Sequence, residues 1–148
     1  MQVRYHTLIT AIAAGIFFCI TKSTTNSIIL FISGVFIDLD HVIDYLIYLF
    51  ETKQKKCSIE HLFETCEEKK LYHVFLIFHS YELPIIGWIL YFLTDRPLWL
   101  FATLFGISLH ILLDVIHNPV RLLLYSFISR AFHQFNADIF YIKKDTEK

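Results

Sequence analysis

The chain has 148 residues, of which 55% are hydrophobic and 18% are charged. Soluble domains carry about 25% charged residues and disordered chains are poor in apolar ones. This composition therefore excludes disorder and indicates an integral membrane protein or an unusually apolar subunit of a larger assembly. Thirteen basic and fourteen acidic residues give a net charge of −1, which excludes nucleic-acid binding by bulk positive charge. The length predicts one domain over 1–148.

Four apolar stretches predict an all-α, multi-pass bundle of about four membrane spans. They cover residues 7–20, 27–50, 71–93 and 98–117. A helix needs about 20 residues to cross a bilayer, so the last three stretches are long enough and the first needs its flanking residues. The charged segment 51–70 predicts a solvated cytoplasmic helix that connects the second and third spans.

The C-terminal region and the basic residues complete the predicted topology. Apolar residues at 3.6-residue spacing over 118–142, with Arg121 and Arg130 on the polar side, predict one amphipathic helix, and 143–148 predicts a tail. With four spans, eleven basic residues share the side of both termini and of 51–70, whereas only Lys22 and Arg96 lie on the other side. The positive-inside rule therefore predicts a cell (inner) membrane protein with both termini in the cytoplasm.

Ionisable residues interrupt the predicted spans, and no Lys or Arg accompanies them there. The ones that matter most are Asp38, Asp40, His41, His79, Glu82, His110 and Asp114, with His6 at the start of the first span. A charged Asp at the centre of a spanning helix costs about 2.5–3.5 kcal/mol. Imidazole and carboxylate are common ligands of divalent metals, so the cluster predicts a metal site, with a network of intramembrane hydrogen bonds as the alternative.

Helix geometry predicts that these side chains meet. His110 and Asp114 are one turn apart on one face of their span. Counted from the predicted span ends, His41, His79 and His110 lie roughly 10–14 Å from the cytoplasmic boundary. We therefore expect these four residues to converge together with Asp38 or Asp40.

Three motifs in these spans resemble a known family. Asp38-Leu39-Asp40-His41, Phe78-His79-Ser80 and the pair His110 and Asp114, together with His6, resemble the YdjM-like family of membrane-bound metal-dependent hydrolases, also described as LexA-binding inner-membrane hydrolases. The family commonly has Arg and Gly after a His ahead of the His-Ser pair, and this chain has Val74 and Phe75 there. The resemblance implies a multi-pass helical protein with a metal-dependent hydrolase site.

The first functional hypothesis is an intramembrane metallohydrolase. Its divalent metal, zinc or manganese, would be held by His6, Asp38, His41, His79, His110 and Asp114. The metal would lower the pKa of bound water toward about 7, and Asp40 or Glu82 would accept the proton. A site beneath the cytoplasmic headgroups favours a phospholipid or another amphipathic ester as the substrate.

Two other hypotheses remain open at the level of sequence. Intramembrane His and Asp residues also mark proton and metal-ion pathways, although the predicted outer halves of the spans are nearly devoid of polar residues. A non-catalytic membrane assembly factor with a structural metal has the same residue pattern. The sequence leaves the oligomeric state open.

Overall fold

The computed structural model describes residues 3–54, 57–68, 70–118 and 120–141, and the predicted tail over 143–148 lies outside them. Within these residues the chain is helical, with two isolated β-bridges and no strands, which confirms the all-α class. The α-helices in chain order are α1 (Val3–Thr21), α2 (Thr24–Val35), α3 (Asp40–Thr52), α4 (Ile59–Glu67), α5 (Glu82–Leu93), α6 (Leu98–His117) and α7 (Phe127–Phe132). They belong to two compact units, which are described separately.

The first unit comprises Met1–Asp38 and Phe78–Asn118 and contains α1, α2, α5 and α6. Helix α2 packs against α1 and α6, and α6 also contacts α1 and α5. Ser23 starts α2 because its side chain accepts a hydrogen bond from the backbone N–H of Asn26 at 3.4 Å. Ala14, Leu30 and Ala102 form a buried apolar cluster, and the small volume of the two alanines allows the helices to approach closely.

The second unit comprises Leu39–Ile77 and Pro119–Lys148 and contains α3, α4 and α7. Its core is built around Tyr45, Val74 and Phe140. The non-helical stretch before residue 78 pairs with the C-terminal region, since Val74 N–H donates to the Phe135 carbonyl at 2.9 Å. Burial at the edge of this core raises the pKa of the Tyr141 hydroxyl.

Two charged residues of the second unit are buried rather than exposed to water. The carboxylate of Asp44 accepts the backbone N–H of Phe75, which lies 3.1 Å from each oxygen. The guanidinium of Arg130 donates to the carbonyls of Leu124 and Leu76. Arg130, predicted on the polar face of a surface helix, is therefore a core residue that binds backbone carbonyls.

The structure differs from the predicted set of spans. Two helical stretches are long and apolar enough to cross a membrane, Thr24–Thr52 with 29 residues and Leu98–His117 with 20. The first and third predicted spans correspond to the shorter apolar helices Tyr5–Thr21 and Glu82–Leu93. The third loses its first half because residues 71–81 are not helical; Pro84 lacks an N–H and fits only the first turn of α5. A four-span bundle therefore stays a prediction.

The C-terminal region also differs from the single amphipathic helix predicted over 118–142. It contains a 3-10 turn at Leu122–Tyr125, the short helix α7 and a second 3-10 turn at Ala137–Ile139. Ser126 starts α7 by accepting the backbone N–H of Ser129 at 3.1 Å. Positive φ angles at Gln134 and Phe135, 53° and 58°, follow α7 and reverse the chain direction. The apolar spacing is present, but these caps divide the helix.

Candidate metal centre

The candidate metal centre lies wholly within the first unit. Four separate pieces of chain supply its side chains: α1 supplies His6, the 3-10 turn after α2 supplies Asp38, the residues before α5 supply His79, and α6 supplies His110 and Asp114. All except Asp38 are buried, and the Asp38 side chain is 22% exposed. The site is thus enclosed, with its accessible side at Asp38.

A close crossing of α2 and α6 holds His110 in place. A Cβ atom on Gly106 would lie 2.5 Å from the carbonyl oxygen of Leu30, and one on Gly34 would lie 3.2 Å from the carbonyl oxygen of Gly106. Only glycine permits this backbone approach. One turn beyond Gly106, the ring of His110 reaches the Gly34 carbonyl, and Nδ1–H donates to it at 2.7 Å.

That hydrogen bond determines the tautomer of His110. A carbonyl oxygen can only accept, so Nδ1 carries the proton and Nε2 of a neutral imidazole carries a lone pair. Nε2 of His110 lies 3.2 Å from Asp38 Oδ1, 3.7 Å from Asp114 Oδ2 and 3.1 Å from Nε2 of His79. The ring is therefore oriented as metal-ligating imidazoles usually are, with its second nitrogen bonded to a backbone carbonyl.

Four possible ligand atoms lie close to one another. Besides the contacts of His110, Nε2 of His79 lies 3.3 Å from Asp38 Oδ1 and 3.4 Å from Asp114 Oδ2. In a tetrahedral site with metal–ligand bonds of about 2.0–2.2 Å, neighbouring ligand atoms are separated by roughly 3.3–3.6 Å. Five of the six distances among these atoms, from 3.1 to 3.7 Å, are close to that range. These side chains could hold a metal ion.

The donor set also favours a cation on chemical grounds. Ionised Asp38 and Asp114 present only acceptors, and Nε2 of His110 presents a lone pair. A divalent cation satisfies all four atoms together, and two imidazoles with two carboxylates suit zinc as well as manganese.

His6 lies beside these four residues and contacts two of them, Asp114 and His110. Its Nε2 is 3.0 Å from Asp114 Oδ1, the oxygen that is not directed at His79 and His110. Its ring stacks on the ring of His110, with the centroids 4.2 Å apart and the planes 21° from parallel. His6 therefore contacts both α6 residues of the centre.

The remaining predicted site residues are Glu82, Asp40 and His41. Glu82 is half-buried at the start of α5, three residues after His79. Asp40, which is buried, and His41 belong to the second unit, at the start of α3. The assignments of Asp40 and Glu82 to catalysis and of His41 to metal binding stay predictions.

The sequence did not predict the hydrogen bond between the Gly34 carbonyl and His110. The Gly34 carbonyl, which fixes the tautomer of His110, belongs to the backbone and depends on how α2 crosses α6. The signal available in the sequence was the glycine one turn before His110, which predicts close helix approach but not its partner.

Comparisons with protein-family models, with curated proteins and with solved structures find no match to this chain.

Proposed function

We propose that this protein is a membrane-embedded, metal-dependent hydrolase that acts on a phospholipid or another amphipathic ester. The observation that carries the proposal is the short separation, 3.1–3.7 Å, of the possible ligand atoms of His79 and His110 from each other and from those of Asp38 and Asp114. The resemblance of the same residues to the YdjM-like family motifs supports it.

The distribution of side chains in the first unit supports a membrane location. Along α1, Leu8, Ile12, Ile16 and Ile20 form a stripe of side chains that are 55–76% exposed. The opposite face buries His6 and Thr10. A helix of a water-soluble domain shows the reverse pattern, with its apolar stripe on the core side. Helix α1 is therefore suited to lipid on the outside and a polar site on the inside.

The residues of the centre have distinct roles in the proposed reaction. A bound divalent cation supplies Lewis acidity toward the ester or phosphoryl oxygen and lowers the pKa of water. His79 and His110, which are 1% and 0% exposed, would hold the cation and exclude bulk water from one side of it. Asp38, the accessible member, lies where the substrate enters. Glu82, close in sequence to His79, is the proposed proton acceptor.

Lipid turnover by the purified protein tests the proposal. The protein, reconstituted in bilayers of mixed phospholipids, is expected to release a lipid fragment, to lose this activity with EDTA and to recover it with zinc or manganese. His110→Ala should abolish turnover, because it removes one of four donors. His133→Ala, a change at an exposed histidine of the second unit, is the matched control and should keep activity. Turnover that persists in His110→Ala would exclude this site.

A non-catalytic protein with a structural metal is the second candidate, and one observation favours it. Four protein ligands would occupy every coordination position of a tetrahedral cation, as in structural zinc sites, whereas catalytic zinc sites keep one position for water. If the metal is structural, its removal should unfold the protein, and no ester should be hydrolysed by the metal-loaded form. If it is catalytic, one ligand, which we expect to be the accessible Asp38, should yield its position to substrate.

A further inference from the structure

The two stacked imidazoles of the metal centre differ in the partners of their outer nitrogens. His110 donates from Nδ1 to the Gly34 carbonyl at 2.7 Å and directs Nε2 at the cluster. Nδ1 of His6 is buried, and it has no hydrogen-bond partner among the residues that the structure describes. His6 is 2% exposed, so this nitrogen has little access to solvent. The backbone hydrogen bond therefore orients His110, but not His6, to ligate a cation through Nε2.

The hydrogen bond of His6 to Asp114 indicates where its proton lies. Nε2 of His6 is 3.0 Å from Oδ1 of Asp114, and an ionised carboxylate can only accept. Nε2 therefore carries the proton, and Nδ1 carries the lone pair. The opposite tautomer, which ligation through Nε2 requires, would direct a lone pair at a carboxylate oxygen. It would also bury an N–H donor with no acceptor, which is unfavourable.

We propose that His6 is a positioning residue that holds Asp114, not a ligand of the metal. Its Nε2–H binds Oδ1 of Asp114, and this leaves Oδ2 directed at the cluster 3.4 Å from Nε2 of His79. The stack on His110, with ring centroids 4.2 Å apart, steadies a second ligand of the same ion. The inference rests on the metal binding in the proposed function. It removes His6 from the six residues that were predicted to be metal ligands.

The proposal predicts how substitutions at His6 affect metal binding. Outer-shell partners of metal ligands typically contribute about 10–100-fold to metal affinity. His6→Ala should therefore weaken zinc binding by about 10–100-fold while the protein still binds one equivalent. His6→Gln, whose amide nitrogen can also donate to Asp114, should recover most of that loss. His110→Ala is the comparison for a true ligand and should lose stoichiometric binding.

Cobalt(II) absorption and histidine NMR test the proposal together. The cobalt-loaded wild-type protein and His6→Gln should have the same ligand-field spectrum, whereas loss of an imidazole ligand would change its energy and intensity. In ¹⁵N-histidine-labelled metal-free protein, His6 should have its proton on Nε2. A changed cobalt spectrum in His6→Gln, or a proton on Nδ1 of His6, would overturn the inference. A wild-type protein that binds neither zinc nor cobalt would instead overturn the proposed function, and the NMR result would still decide which nitrogen of His6 donates to Asp114.

Discussion

At the scale of single residues, the two units use buried polar side chains for different purposes. In the first unit, possible ligand atoms of His79, His110 and Asp114 lie within 3.7 Å of one another. In the second unit, Arg130 has no exposed surface, and its guanidinium binds the carbonyls of Leu124 and Leu76. Leu76 has a positive φ of 39° and lies outside the helices, so Arg130 binds a segment that has no helical hydrogen bonds. The burial of Arg130 is thus explained by its hydrogen bonds to backbone carbonyls of the second unit.

Replacing Arg130 should destabilise the second unit. Arg130→Met keeps a long apolar side chain but leaves buried carbonyls without donors, and we expect a loss of about 2–3 kcal/mol in the free energy of unfolding. The alkylation rate of Cys66, a half-buried thiol packed against the core of this unit, reports its opening in a variant without Cys19 and Cys57. Alkylation should accelerate in Arg130→Met. Arg121→Met, at an exposed arginine of the same unit, should leave the rate unchanged.

At the scale of elements, the crossing of α2 and α6 positions the metal centre. The backbones approach at Gly34 and Gly106, and the same approach brings the Gly34 carbonyl to His110. The sequence predicted the one-turn spacing of His110 and Asp114, which a regular helix preserves. It did not predict that Asp38 would come from a 3-10 turn or that His79 would lie before its helix, because those positions depend on contacts between distant segments.

A methyl group at the crossing should therefore disturb both stability and metal binding. In Gly106→Ala, the new Cβ would overlap Ser33 Oγ and lie 2.5 Å from the carbonyl oxygen of Leu30. Overpacking of this kind costs about 1–3 kcal/mol. Scanning fluorimetry in detergent should show a lower midpoint of thermal unfolding, and zinc affinity should fall as His110 moves from the Gly34 carbonyl.

Gly15→Ala is the matched control for this prediction. A Cβ on Gly15 meets nothing within 4 Å, and alanine is the better helix former by about 1 kcal/mol. The midpoint should stay the same or rise, and zinc affinity should not change. Equal midpoints and equal zinc affinities in Gly106→Ala and the wild type would show that the α2–α6 crossing is not as close as described.

At the scale of the whole molecule, composition and hydropathy predicted the all-α class, but they located the helix ends less well. The expected span over 71–93 is irregular over residues 71–81, where the Tyr72 carbonyl and the Val74 N–H bond to Ala137 and Phe135 of the second unit instead of within a helix. The expected helix over 118–142 is divided by Ser126 and by the positive φ angles of Gln134 and Phe135. Periodicity identifies an apolar face, but local caps and long-range hydrogen bonds determine where each helix stops.

The predicted membrane topology can be tested with single cysteines. In a variant whose only cysteine is Cys57, four spans with cytoplasmic termini place this exposed thiol in the cytoplasm. A membrane-impermeant maleimide should label it only after the cells are lysed. In a cysteine-free background, Asp95→Cys, between the third and fourth predicted spans, should be labelled in intact cells. Labelling of both thiols in intact cells, or of neither, would contradict the four-span topology.

Elemental analysis of the purified protein tests the central claim most directly, which is that Asp38, His79, His110 and Asp114 bind one divalent metal ion. After incubation with zinc or manganese and removal of the unbound metal, the wild-type protein should retain about one equivalent per chain, as one four-ligand site requires. His110→Ala and the more accessible Asp38→Ala should lose most of it, while His133→Ala should retain it. A wild-type protein that retains neither metal, or variants at His110 and Asp38 that retain as much as the His133 variant, would contradict the account.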